Sequence, residues 1–200
     1  MKIQLSLGKF IRFFLAFLML LGVLTVQAQN FELPELVVQG LSTVSNEGED
    51  LPVFTGPGRS FYRSASGKAA ISSSQRVNVY GRVGDFLLVE YSTKLDDEDI
   101  SRFAYAPVIN VANGESFDEI IFSEIPITIS YFAALVDAPS NLRSGFGTIE
   151  IDHRNATTLA TILDDAGNEW IYFHSKGFSS VNNAHLDARG FFLSKYVTFR

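Results

Sequence analysis

Apolar and polar positions alternate with a period of two in the middle of the chain. Val77 and Val79 alternate with Asn78 and Tyr80, and Leu87, Val89 and Tyr91 alternate with Phe86, Leu88 and Glu90. That period marks strands with at least one packed face. The Gly-flanked link Gly81-Arg82-Val83-Gly84-Asp85 joins them as a β-hairpin. Upstream, Val53-Phe54-Thr55-Gly56-Pro57-Gly58 holds a Pro-Gly pair suited to a type II turn, with proline presetting φ and glycine accepting a positive one. Arg102-Phe103-Ala104-Tyr105-Ala106-Pro107 closes the unit. Between hairpin and closing run, Lys94 to Asp99 is too polar for a strand and reads as an exposed loop. It also lacks the alternating ligands and central glycine of a calcium loop.

After a junction at Val111 to Glu119, which contains the turn pair Asn113-Gly114, a related pattern recurs. Phe122 to Phe132 and Ala133 to Val136 are strand-like, and Asp137 to Asn141 is a turn. Thr158 to Leu163 leads through Asp164-Asp165-Ala166-Gly167-Asn168 into Glu169-Trp170-Ile171-Tyr172-Phe173-His174. A loop through Asn182-Asn183 precedes Arg189-Gly190-Phe191-Phe192-Leu193. Asp85 to Glu90 overlies Glu169 to His174, and Arg102 to Tyr105 overlies Arg189 to Phe192. This is a degenerate internal repeat.

The order of Gly56-Pro57, Phe86-Leu87-Leu88-Val89 and Phe103-Ala104-Tyr105-Ala106-Pro107 resembles the bacterial SH3-like (SH3b-type) domain. Phe86 stands where that family commonly has Trp, and the closing Gly-Trp pair is missing. Trp170 and the Arg189-Gly190-aromatic closure lie closer to the family pattern. The resemblance implies an all-β chain of two tandem SH3-like small β-barrels, residues 51–113 and a degenerate copy at 119–200. It also implies a peptide or cell-wall ligand, and it carries no catalytic group or cofactor.

The first 28 residues add an address. Lys2, Lys9 and Arg12 precede the uncharged run Phe13 to Val26, and Val26-Gln27-Ala28 offers small residues at a cleavage site. This reads as a signal peptide cleaved after Ala28, the run being short for a bilayer span. The expected protein is therefore exported, periplasmic or secreted, with residues 29–50 as a linker and no stable membrane insertion after cleavage. Without cysteine it has no disulfide to draw on. Removing those three basic residues leaves 13 of the 16 Lys and Arg against 22 Asp and Glu, a net of about −9. Such a balance argues against nucleic acid as a partner. A cationic or neutral partner, or simple solubility, fits it better; peptide, peptidoglycan or an envelope protein is the partner that the resemblance implies.

His153, His174 and His185 are 21 and 11 residues apart, without the close pair a zinc site prefers and without a Gly-x-Ser-x-Gly elbow. A hydrolase built on them is one alternative, and a structural or assembly subunit is another. Asn155-Ala156-Thr157 fits a glycosylation acceptor, which would carry no weight in the bacterial chain that the resemblance implies. Aromatic grooves hold extended peptides, so the candidate ligand residues are Tyr62, Arg63, Phe86, Tyr105, Trp170, Tyr172 and Arg189. Tyr62 and Arg63, beside the Gly-Pro turn, are the expected exposed pair, with Trp170 mostly in the core. Arg102 and Arg189 each either present a carboxylate-binding fork or satisfy a neighbouring acid.

Overall fold

A computed structural model describes residues 32–63, 69–95, 97–130, 136–139, 149–179 and 183–200. The predicted leader, residues 1–28, lies outside the described residues. The chain is mostly β, and Leu33–Arg200 forms one compact unit. In the first half, β1 (Gly40–Thr43) pairs with β4 (Arg76–Val83), which continues as a meander through β5 (Phe86–Leu95) and β6 (Glu98–Pro107). A two-stranded ribbon of β2 (Leu51–Pro52) and β3 (Ala70–Ile71) lies within the long connection from β1 to β4. In the second half, β7 (Ile125–Ile129) pairs with β9 (Ala156–Leu163), which continues through β10 (Glu169–Ser179) and β11 (Ala184–Leu193). β8 (Ile149–Ile151) pairs with β10, and β12 (Val197–Phe199) with β7. All these ladders are antiparallel, and none closes into a barrel among the described residues.

The two lobes repeat each other in detail. Each has a first strand, a three-stranded meander, a short 3-10 turn (Val108–Asn110 or Ser194–Tyr196) and a last segment returning to the first strand. Val44 bridges Val111 in the first lobe as Ile129 pairs with Val197 in the second. Both meanders carry a bulge at the same place. Tyr80 is the extra residue between the Val79 and Gly81 pairings, and Leu159 is the extra residue between those of Thr158 and Ala160. A bulge leaves one residue unpaired and bends its strand. Here it sends Tyr80 and Leu159 into the same hydrophobic cluster.

Register corrects the sequence overlay by one residue. Phe86 faces Pro107 and Trp170 faces Leu193, so the second hairpin is longer by two residues, not three. Tyr105 therefore corresponds to Phe191, and Arg189 to Phe103 rather than to Arg102. A one-residue slip reverses the face of every side chain, and the two arginines indeed lie in different surroundings. Two further readings shift. Residues 40–43, assigned above to the linker, form β1, and the acidic run at 94–99 is a hairpin tip with Lys94 and Leu95 in β5 and Glu98 and Asp99 in β6. Lys94 Nζ lies 2.9 Å from Asp99 Oδ1 across that exposed ribbon.

Three large clusters form most of the core, beside a small one around Tyr62 and Ala188. Val44, Val77, Val79, Leu87, Val89 and Ala104 belong to the first lobe's own cluster, and Ile127, Ile129, Ile171, Phe173 and Phe192 to the second's. The third joins the lobes: Tyr80, Leu88, Phe103 and Tyr105 from one meander meet Ala160, Ile162, Trp170, Tyr172 and Phe191 from the other. Both faces of each meander are thus buried. That accounts for the nearly unbroken apolar runs Phe86–Val89 and Trp170–Phe173, since a strand covered on both sides has no polar face to alternate with.

The segments leading into the lobes cross over. Residues 34–36 enter the first lobe but pair with Thr161 of the second, Leu36 N donating to Thr161 O at 2.7 Å and Thr161 N to Pro34 O at 2.9 Å. Residues 118–120 enter the second lobe but pair with Arg82 of the first, through Arg82 N to Asp118 O and Ile120 N to Arg82 O, both 2.8 Å. Arg82 and Thr161 occupy equivalent places in the repeat. Where the arms pass, the Gln39 amide bonds both backbone groups of Asp118. Gly81 beside them has φ +142°, and a Cβ there would lie 2.6 Å from Gln39 Nε2 and from Ile120 Cγ1.

Candidate functional site

An open cleft of about 550 Å³ lies in the first lobe between the long β1–β4 connection and the ends of β5 and β6. Its apolar lining comes from Leu51, Pro52, Phe54, Phe86, Tyr105 and Pro107, with Asn46, Asn110, Gly58 and Arg59 around them. Chain geometry explains the convergence. Phe86 opens β5 directly after the turn at Gly84, φ +60°, and faces Pro107 at the end of β6. Pro107 then starts the 3-10 turn that brings Asn110 alongside. Asn110 Nδ2 donates to Ser45 O at 3.0 Å and approaches Asn46 Oδ1 at 3.4 Å, which fixes the long connection against that turn. Phe54 is held from the other side by its bridge to Tyr105, with Tyr105 N donating to Phe54 O at 2.9 Å.

The Gly56-Pro57-Gly58 turn forms one lip. Gly58 has a positive φ, +139°, but its N donates to Gly56 O at 2.8 Å, so a three-residue turn centred on Pro57 stands where a type II turn was expected. A Cβ on Gly56 would sit 2.0 Å from the Phe61 ring, so only glycine lets that ring fold back over the turn. The turn's base is closed by Thr55 N and Oγ1, which both donate to Tyr62 O at 2.8 and 2.9 Å.

Of the expected exposed pair, Tyr62 is fully buried. The chain after the turn runs alongside β11, Tyr62 N donating to Asp187 O at 2.7 Å, and the ring packs with Ala188, Ile149 and Leu186. Arg63 is half-buried, its Nε donating to Ala69 O at 3.0 Å and its guanidinium 6.0 Å from the Phe54 ring centre. Phe86 and Tyr105 do line the cleft, though the Tyr105 ring is buried and points to the inter-lobe core. Trp170, the counterpart of Phe86, is buried. Its Nε1 donates to Asp164 Oδ2 at 3.0 Å. That bond, followed by those from Asn168 and the Ala166 backbone, lowers the Asp164 pKa to about 2. Tyr172 is buried too, and its hydroxyl donates to the Tyr105 hydroxyl at 3.2 Å.

Arg189 is a keystone of the joint between lobes. Its guanidinium carbon lies 5.2–5.4 Å from the ring centres of Phe61, Tyr105 and Phe122, and Nη1 donates to the Tyr105 hydroxyl. No ion pair forms on it among the described residues, and its Nε is buried without a hydrogen-bond partner. Burial opposes its charge, yet Tyr105 and Tyr172 favour it and the balance raises its pKa. Burial likewise raises Tyr105, against the nearby arginine, and raises Tyr172 well above the ordinary value. Arg102 does satisfy an acid: its Nε donates to Oδ2 of buried Asp137.

The histidines stand apart. His174 Nε2 is 3.0 Å from Asp187 Oδ1, and its ring is 5.8 Å from that of Phe61. His153 packs near Phe192, and His185 near Phe178. Ser175, adjacent in sequence to His174, donates to Asp152 O and Lys176 O instead. Among the described residues no group of three or more His, Asp or Glu is placed to hold a metal ion. What sequence reasoning missed is the contribution of Phe54, Pro52, Pro107 and Asn110. Pro107 and Phe54 were visible as ends of apolar runs, but their meeting depends on the Phe54–Tyr105 bridge between residues 51 positions apart. No known family, curated protein or solved structure matches this chain.

Proposed function

We propose that this chain is an exported, non-catalytic recognition protein built from two SH3-like units, and that its first lobe holds an extended peptide in the Phe54–Phe86–Pro107 cleft. One observation carries the reading: an open cleft of about 550 Å³, half of whose ten lining residues are aromatic or proline, within the size range of binding sites. Aromatic-lined grooves hold extended segments by packing on their side chains while the ligand backbone stays solvated. The repeated strand order, with its 3-10 turn before the returning strand, supports the SH3-like reading of both units. Export rests on the leader alone. A second reading, a structural envelope subunit, is favoured by the burial of both meanders against each other.

The test compares the parent with Phe86→Leu for retention on insoluble cell wall and on a peptide array, with melting temperature measured alongside. Leucine keeps most of the volume, so stability should change little, while loss of an aromatic anchor should weaken binding by about 1–2 kcal/mol. A parent retained by neither support would favour the structural subunit.

A further inference from the structure

Resting on that reading of the cleft, we infer that its ligand is an extended apolar peptide carrying one acidic side chain, and that Arg59 receives the carboxylate. Among the residues lining the cleft, Arg59 alone is charged. It sits exposed at the lip, on a turn held by the hydrogen bond from Phe61 N to Gly58 O at 3.3 Å and by the Thr55–Tyr62 closure at its base. Its guanidinium has no hydrogen bond or ion pair among the described residues.

The other polar side chains of the lining are uncharged and already hold bonds within the protein. Asn110 Nδ2 bonds Ser45 O, and Asn46 Nδ2 donates to Asp50 O at 3.2 Å. The Tyr105 hydroxyl accepts from Arg189. Arg59 is the one charged group of the lining, a planar fork of N–H donors suited to a carboxylate. Its place at the lip suits a side chain projecting from a backbone that lies along Phe54, Phe86 and Pro107. The exposed acids Glu47, Glu49 and Asp50 follow Asn46 directly, on the same long connection. They would repel a polyanion, so a single carboxylate among apolar residues is the matching charge pattern.

Random decapeptides displayed on phage would be selected against residues 29–200, which contain the whole compact unit, and each winner retested on Arg59→Gln and Phe86→Leu. The expected winners carry Asp or Glu among apolar residues, weaken on Phe86→Leu, and weaken about three- to tenfold on Arg59→Gln. The melting temperature of Arg59→Gln should match the parent. Winners that need Phe86 but bind Arg59→Gln unchanged, or that carry Lys or Arg instead of an acid, would overturn the role of Arg59 while leaving the cleft as the site. A selection in which no peptide depends on Phe86 would overturn the cleft itself, and the carboxylate with it.

Discussion

Truncating Phe103 should destabilise the lobe it does not belong to. Phe103 lies on β6 of the first lobe, yet its ring meets Phe191 of the second edge-on, centroids 4.9 Å apart at 67°, and also lies 4.8 Å from Tyr80. It is 6% exposed. Phe103→Ala should cost about 3–5 kcal/mol, the usual range for emptying a buried aromatic site. For a unit of this size that corresponds to a melting temperature lower by roughly 6–20 °C. Trp170 is the only tryptophan and lies in the second lobe, so its fluorescence reports on the partner of the mutated lobe. Urea unfolding followed by that fluorescence and by far-ultraviolet circular dichroism should give one coincident transition, displaced equally for both probes. Adding Phe191→Ala should cost less than the sum of the single changes, by about 0.5–1.5 kcal/mol for the lost ring pair. An unmoved fluorescence transition in Phe103→Ala, or strict additivity, would refute the shared core.

Three shorter expectations follow. The Asp164 carboxylate is held at about 2 by Trp170 and Asn168, so its stabilising effect is complete above the ordinary aspartate range and disappears as pH falls through about 2. Acid titration of Trp170 fluorescence should show a step there that Asp164→Asn removes. Burial raises Tyr91 to about 12, Tyr80, Tyr105 and Tyr172 being raised as well. Their contribution is intact below pH 10 and is lost as pH climbs through the raised values, so phenolate absorbance should appear together with unfolding rather than before it. Gly81→Ala combines a positive φ with contacts of 2.6 Å at the crossing arms and should cost about 1–3 kcal/mol in thermal or urea melts.

Much of the β plan was legible because period two and turn chemistry are local. The runs at Val77–Tyr80, Phe86–Tyr91 and Glu169–His174 all lie in strands, and Gly58 has its positive φ, though in a three-residue turn. What escaped was decided by contacts far apart in sequence. Tyr62 looked like a rim residue because it follows a turn, but the turn docks on β11, 125 residues away, and buries the ring. Arg102 and Arg189 looked equivalent until the ladder register separated them by one residue. Gly40–Thr43 was hidden in a polar surrounding because one short strand of mixed burial has no periodic signature. Site residues were half legible for the same reason: Phe86 opens a visible strand, while Phe54 and Pro107 join it only through tertiary pairing.

The claim beneath all of this is that Leu33–Arg200 is one fold made by two lobes that exchange their leading arms and share a core. Residues 32–113 and 114–200, expressed separately and then mixed, test it most directly. Each piece alone would leave one meander face uncovered and would lack the arm supplied by the other, so neither should show a cooperative melt or native near-ultraviolet dichroism. An equimolar mixture should recover both, with a melting temperature that rises with concentration. A cooperative melt from either piece alone, unchanged on mixing, would contradict the account.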